Sequence, residues 1–299
     1  MSTLLTCTSS TRPGSPAAGD TLFETDTNKI IVYSGTAWKE YEDNGQLYND
    51  SDITALSPHI WLDGAGGYFY DDAAKTTLLS DDGDYVGNWA DRSGNGFDFT
   101  QTNGGLQPRI LKNFGAKNAT VLSYDGDQLI FTGTASSQIS GAGSTMFFVV
   151  YNSMITGDYI LTSSDTSTRI KSTQNTSSGD YYFNAQNYAG TASSNSYLRT
   201  DLGTEQLRLK LSIYSIRMGS SLAESFVNGT TQADTETTMP TGTLFTSGVS
   251  YELFDSTVSI DSPNLLGEYM VFDSALSDTD MNTVTNYLGK KYSLTVSTL

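Results

Sequence analysis

The stretch "NLLGEYMVFDSALSDTDMNTVTNYLGKKY", residues 264–292, places two periodicities back to back. Its first part, "NLLGEYMVFD" (264–273), is a mostly apolar run of strand length. After Ser277 the pattern changes. Met281, Val284 and Leu288 recur at spacings of three and four, and Tyr287 widens the stripe. Ser277 suits an N-cap, Asp278 and Asp280 fall in the first turn, and Lys290 and Lys291 fall in the last turn, where the helix dipole favours cations. The stretch predicts one strand running into one short amphipathic helix at the end of the chain.

Upstream of it the chain reads as strands. "HIWLDG" (59–64) sets Trp61 between Ile60 and Leu62, and "VGNWADRSGNGFDFTQ" (86–101) sets Trp89, Phe97 and Phe99 around a turn of Ser93, Gly94, Asn95 and Gly96. "STMFFVVY" (144–151) is continuously apolar, as a strand buried on both faces must be. "QLRLKLSIYSI" (206–216) alternates, with Leu207, Leu209, Leu211 and Ile213 on one face, and Asn228-Gly229 in "SFVNGTT" (225–231) is a strong hairpin signal. Short strands with turn residues between them predict an all-β sandwich or jelly roll with one C-terminal helix.

Composition agrees. Gly (28) and Tyr (18) are abundant, and long Ala, Leu, Glu and Lys runs are missing. A net charge of −17 leaves no Lys/Arg patch for phosphates, which excludes nucleic acid and anionic membrane surfaces as expected partners. Of the 33 acidic residues only eight are glutamate, and Asp is a turn residue. Cys7 stands alone, so no intrachain disulfide forms, and His59 stands alone, so no His-rich metal centre forms. The first twenty residues lack the basic start and apolar core of a signal peptide, and no run reaches membrane-span length. The expectation is a soluble chain with no classical export route.

The opening segment is separate in character. In "PGSPAAGDTLFETDTNKIIVYSGTAWKEY" (13–41), Leu22 and Phe23 precede a turn, Ile30 to Tyr33 follow it, and Ser34-Gly35 turns the chain again before Trp38. A ribbon of two or three strands is marginal alone, so Leu22, Phe23, Ile31, Tyr33 and Trp38 are candidate partner-docking residues. Residues 1–12 are polar and read as extended, or as poorly ordered unless a partner holds them. The expected organisation is an anchor at 1–45, a polar linker at 46–54 and the sandwich at 55–299.

Two resemblances follow from these residues. "IWLDG", "VGNWADRSGNGFDFTQ", "YDGDQL" (124–129), "VNG" (227–229) and "LLGEYMVFDSALSDTDMNTVTNYLGKKY" (265–292) resemble, in order and spacing, the concanavalin A-like (laminin-G-like) jelly-roll superfamily over residues 55–294. That resemblance implies a jelly-roll β-sandwich and leaves function open, because the fold hosts lectins, glycosidases, adhesion modules and viral parts. Residues Arg12 to Trp38 are similar to short β-ribbon segments of tailed-phage virion proteins. This implies a virion structural protein, such as a capsid decoration or a head, neck or tail fibre, anchored through its N-terminus to other virion proteins and commonly trimeric.

The chemistry is sparse. Sandwich glucanases of the resembled superfamily carry E-x-D-x-x-E on one strand, and no such string occurs here. Glu252 and Glu268 are isolated strand acids that read as structural, and His59 lacks a G-x-S-x-G partner. No catalytic residues are expected, and no cofactor is required. Asp81, Asp82 and Asp84 in "SDDGDY" have two readings, solvated turn residues or calcium ligands. "DYYFNAQNYAG" (180–190) offers Tyr181, Tyr182, Asn184, Gln186 and Tyr188 either as strand filler or as a glycan-binding platform, since aromatic faces stack on sugars and amides bond hydroxyls. The expected role is a non-enzymatic virion protein displaying a lectin-like sandwich to a host-surface glycan. The alternative is a secreted carbohydrate-binding module.

Overall fold

The computed structural model describes residues 5–27, 29–41, 47–64, 68–114, 119–124, 126–140, 143–151, 159–164, 168–174, 181–188, 195–201, 210–219, 223–232, 234–237, 243–253 and 264–299. Among these the strands form a five-stranded N-terminal sheet, two large sheets of eight and ten strands, and one two-stranded pair. The chain is an all-β sandwich with a short C-terminal helix, as its periodicities predict.

The eight-stranded sheet runs in the order Arg109–Phe114, Ala119–Tyr124, Asn264–Phe272, Ser144–Tyr151, Leu211–Met218, Ala223–Val227 and Thr230–Thr231, with Ile60–Leu62 also paired to Asn264–Phe272. The strand Ser144–Tyr151 lies at its centre and pairs antiparallel on both sides. Its alternation sorts side chains between two cores. Met146, Phe148 and Val150 join Phe99, Phe131, Leu161, Tyr251 and Leu253 of the ten-stranded sheet in the inter-sheet core. Phe147 and Val149 face the other way, into a cluster with Met270, Phe272, Met281, Val284 and Leu288 beneath the helix. Burial on both faces is why this strand shows no polar alternation.

The helix spans Asp278–Tyr292 and is capped by Ser277, whose Oγ accepts from the Asp280 amide at 3.2 Å. Its buried face carries Met281, Val284, Tyr287, Leu288, Lys291 and Tyr292. Lys291 departs from the sequence reading. It continues the inward stripe set by Met281, Val284 and Leu288, whereas Lys290 one position earlier is exposed. Asn228 and Gly229 adopt φ of 49° and 80°, the left-handed pair that a tight hairpin needs. The strand Leu211–Met218 is also more buried than its alternation suggests, since Ser212 and Ser215 are each 1% exposed. Among the described residues no helix is long and apolar enough to cross a membrane.

The N-terminal sheet has more strands than its hairpin signals indicate. Thr21–Glu24, Lys29–Tyr33 and Trp38–Tyr41 form the expected antiparallel ribbon. Leu5–Cys7 pairs parallel with Thr21–Glu24 on one edge, and Leu47–Tyr48 pairs with Trp38–Tyr41 on the other. Residues expected to be merely extended, or linker, therefore carry structure. A parallel pair needs a crossover, supplied here by residues 8–20, and Arg12 from that crossover pairs with Glu24 on the face shared by Leu22 and Ile31. Asp50–Thr54, within the expected linker, is a helical turn whose cap Asn49 accepts from the Ser51 amide at 3.2 Å.

Candidate functional site

The most organised chemistry lies where the first and last strands of the sandwich meet beneath the helix. Ile60–Leu62 pairs with Tyr269–Val271. Ile60 and Leu62 enter the inter-sheet core, so Trp61 between them faces the helix. On Asn264–Phe272 the register jumps from Val149 opposite Glu268 to Val150 opposite Leu266. Glu268 lies on the helix side with Met270 and Phe272 by alternation, and Gly267 is the extra residue of a bulge that returns Leu266 to the inter-sheet core. The backbones approach so closely that a Cβ on Gly64 would lie 1.8 Å from the Gly267 carbonyl oxygen.

Five charged side chains converge there. Lys291 donates to Asp63 Oδ1 and lies 2.8 Å from Glu268 Oε2. Trp61 Nε1 donates to Glu268 Oε1 at 2.8 Å, and the Tyr292 hydroxyl lies 3.0 Å from Oε2 and 2.6 Å from the Gly267 carbonyl. Arg92 bridges Asp63 Oδ2 and Asp50 Oδ2, stacked 4.2 Å over the Trp61 ring. Tyr287 donates to Asp50 Oδ1 at 2.9 Å and accepts from Lys291 at 3.1 Å. The side chains of Asp63, Glu268 and Lys291 are 0%, 1% and 4% exposed.

Electrostatics follow from that burial. Loss of solvent pushes the Glu268 carboxyl up to about 7, against the opposing pull of Lys291. Burial by itself would depress Lys291, but the carboxylates of Asp63 and Glu268 outweigh it and hold the ammonium above the usual lysine range. Arg92 likewise rises through Asp63 and Asp50 in spite of its burial.

The loop "ADRSGNGF" is held by Asp91. Its carboxylate accepts from the amides of Trp61 at 2.9 Å, Ser93 at 3.0 Å and Phe97 at 3.0 Å, and from Ser93 Oγ at 2.7 Å. Gly94 and Gly96 take φ of 91° and 77°, which explains both glycines. This loop aims Arg92 at the cluster. Outside it lies an open polar cleft of about 470 Å³, lined by Thr54, Ser57, His59, Arg92, Asn95 and Asp273 among others. His59 is satisfied within the fold, its Nε2 lying 2.9 Å from the Ser137 carbonyl oxygen.

The other sequence candidates do not gather at one place. Leu22 and Ile31 are each 3% exposed and so present no docking surface, whereas Phe23, Tyr33 and Trp38 are half-buried, with the rings of Tyr33 and Trp38 5.4 Å apart. Asp81, Asp82 and Asp84 serve the turn and the neighbouring strand: Asp84 accepts from the Asp81 amide at 3.0 Å, and Asp82 from the Lys112 amide at 2.7 Å. Among the described residues no group of three His, Cys, Asp or Glu side chains is placed to hold a metal ion. Tyr181, Tyr182, Asn184, Gln186 and Tyr188 lie on the strand Tyr181–Tyr188, whose backbone pairs with Thr168–Gln174 and Asn195–Asp201. Their side chains lie outside the described residues.

Asp50, Asp63 and Arg92 were not singled out as functional candidates by sequence reasoning. Asp63 and Arg92 sit inside the strings "IWLDG" and "ADRSGNG", which read as fold markers. The available signal was Lys291 itself, a cation at a stripe position.

No protein-family model matches the chain, and no curated protein matches it in sequence. Solved structures of similar fold include the binding domain of Paraclostridial Mosquitocidal Protein 1, with a TM-score of 0.51 at 11% identity over 69% of this chain and 51% of that one. Another is the receptor binding domain of botulinum neurotoxin D, with a TM-score of 0.51 at 16% identity over 78% of this chain and 53% of that one. The chain thus spans about half the length of these domains. At such identities the likeness establishes the β-sandwich fold.

Proposed function

We propose that this chain is a non-catalytic adhesion protein of a tailed-phage virion, fastened through its N-terminal region and presenting the sandwich outward to a host-surface glycan. The observation that carries binding over catalysis is the state of the two acids the fold brings together. Asp63 and Glu268 are sealed beneath the helix and both held by Lys291, so neither faces a substrate. The similar folds in hand are binding and receptor-binding domains, which supports the same reading. Attachment to the particle is supported by the resemblance of Arg12 to Trp38 to virion β-ribbon segments and by the half-buried Phe23, Tyr33 and Trp38. The domain limits at residues 45 and 55, and a trimeric assembly, belong to this proposal.

Two measurements test it. Full-length protein applied to a glycan array is expected to bind a defined set of sugars, and a blank array removes the glycan receptor. Replacing Phe23, Tyr33 and Trp38 with Ser is expected to abolish incorporation into particles while the sandwich stays folded. Normal incorporation removes the anchor, and a secreted carbohydrate-binding module is then the reading left.

A further inference from the structure

The cluster beneath the helix brings an amine, a carboxyl group and a second carboxyl group into contact away from water, and that set has a reactivity of its own. Lys291 Nζ contacts Asp63 Oδ1 and lies 2.8 Å from Glu268 Oε2. The aromatic rings of Tyr287 and Tyr292 lie 5.2 and 5.9 Å from the same nitrogen, and Trp61 fixes the far oxygen of Glu268. We propose that Lys291 and Asp63 condense into an intramolecular isopeptide bond, with Glu268 as the proton carrier and Arg92 as the group that stabilises the oxyanion.

The atoms balance without any further reagent. The Lys291 ammonium gives one proton to Glu268, which passes it to Asp63 Oδ1, leaving a neutral amine beside a neutral carboxylic acid. The nitrogen lone pair then attacks Cγ of Asp63, and the electrons of the C–Oδ2 bond move onto Oδ2, where Arg92 Nη1 already donates. A second proton leaves nitrogen through Glu268 and reaches Oδ1. Collapse of the intermediate restores the C–Oδ2 double bond and expels Oδ1 as water. Of the three ammonium hydrogens one stays on the amide and two depart with the water, and net charge is unchanged.

Four physical features favour the step. The reacting groups are already in contact, so the entropic cost of meeting is met by folding. Buried charges are costly, and condensation turns the Lys291–Asp63 pair into a neutral amide. Hydrolysis needs water, and side chains 0% and 4% exposed exclude it. The elevated Glu268 carboxyl, near 7, suits a group that must take and release a proton at neutral pH. The bond would tie the start of the sandwich to its last helix across 228 positions of sequence, restricting the unfolded chain as a long-loop crosslink does.

Intact-mass spectrometry of the full-length protein decides the matter. The expected mass is one water below that of the sequence, with proteolysis yielding a branched peptide that contains both Asp63 and Lys291. A mass equal to that of the sequence, with the two residues in separate peptides, overturns the proposal. Glu268→Gln is expected to fold and to keep the full mass, and water loss in that variant overturns the role of Glu268. Because Glu268→Gln alters a buried partner, Lys291→Arg provides a second control. It preserves the cation, and retained water loss in it overturns Lys291 as the amine.

Discussion

The two faces of the strand Ser144–Tyr151 meet different worlds. Toward the ten-stranded sheet, Met146, Phe148 and Val150 enter an apolar, aromatic core in which Phe148 stacks on Tyr269 at 4.7 Å. Toward the helix, Phe147 and Val149 share a layer whose neighbouring end holds Asp63, Glu268 and Lys291. The first layer is held by area removed from water, which tolerates many arrangements of similar volume. The second adds charges that are stable only when each has its partner. One layer supplies stability, and the other fixes how the terminal elements sit.

That contrast can be broken from either side. Lys291→Met should have the largest effect, because Asp63 and Glu268 both lose Lys291 as their buried partner and the proposed crosslink cannot form. A loss of about 4 to 5 kcal/mol is expected from chemical denaturation, and a loss under about 1 kcal/mol would mean that the charges contribute little. Phe148→Ala should follow closely at about 3 to 4 kcal/mol, since it opens a cavity in the inter-sheet core, while leaving the pH dependence of stability unaltered.

The pH dependence belongs to the charged layer. Burial raises Glu268 from 4.5 to about 7, so the folded protein holds this proton more tightly than the unfolded chain between those values. The stability it contributes is fully present below 4.5 and is lost as pH rises through 7, by about 3 kcal/mol. Glu268→Gln is expected to flatten that slope in denaturation curves taken across the window. An unchanged slope would assign the pH dependence to other groups. The smallest effect is at the helix terminus, where Ser277→Ala should cost about 1 kcal/mol through loss of the cap, read as a small fall in melting temperature.

The elements that were legible in the sequence are those governed by local rules. The strand at 144–151, the helix after Ser277 and the Asn228-Gly229 turn each follow from periodicity, capping or turn chemistry within a few residues. The parallel pairing of Leu5–Cys7 did not, because it rests on a crossover rather than a turn. The charged cluster was illegible for a related reason. Asp63 and Lys291 become partners only when the first and last elements of the sandwich are brought side by side. His59, which lacks a G-x-S-x-G partner in the sequence, hydrogen-bonds within the fold.

The pairing of Ile60–Leu62 with Tyr269–Val271 has a mechanical consequence. A pull transmitted along that first strand from the N-terminal side draws it lengthwise past its antiparallel neighbour. The inter-strand hydrogen bonds are then strained together in shear instead of parting one at a time as in an unzipping hairpin. The ion pairs of Asp50 and Asp63 with Arg92 grip the chain on both flanks of the same strand. A pull along that strand therefore meets the ladder hydrogen bonds and both ion pairs at once.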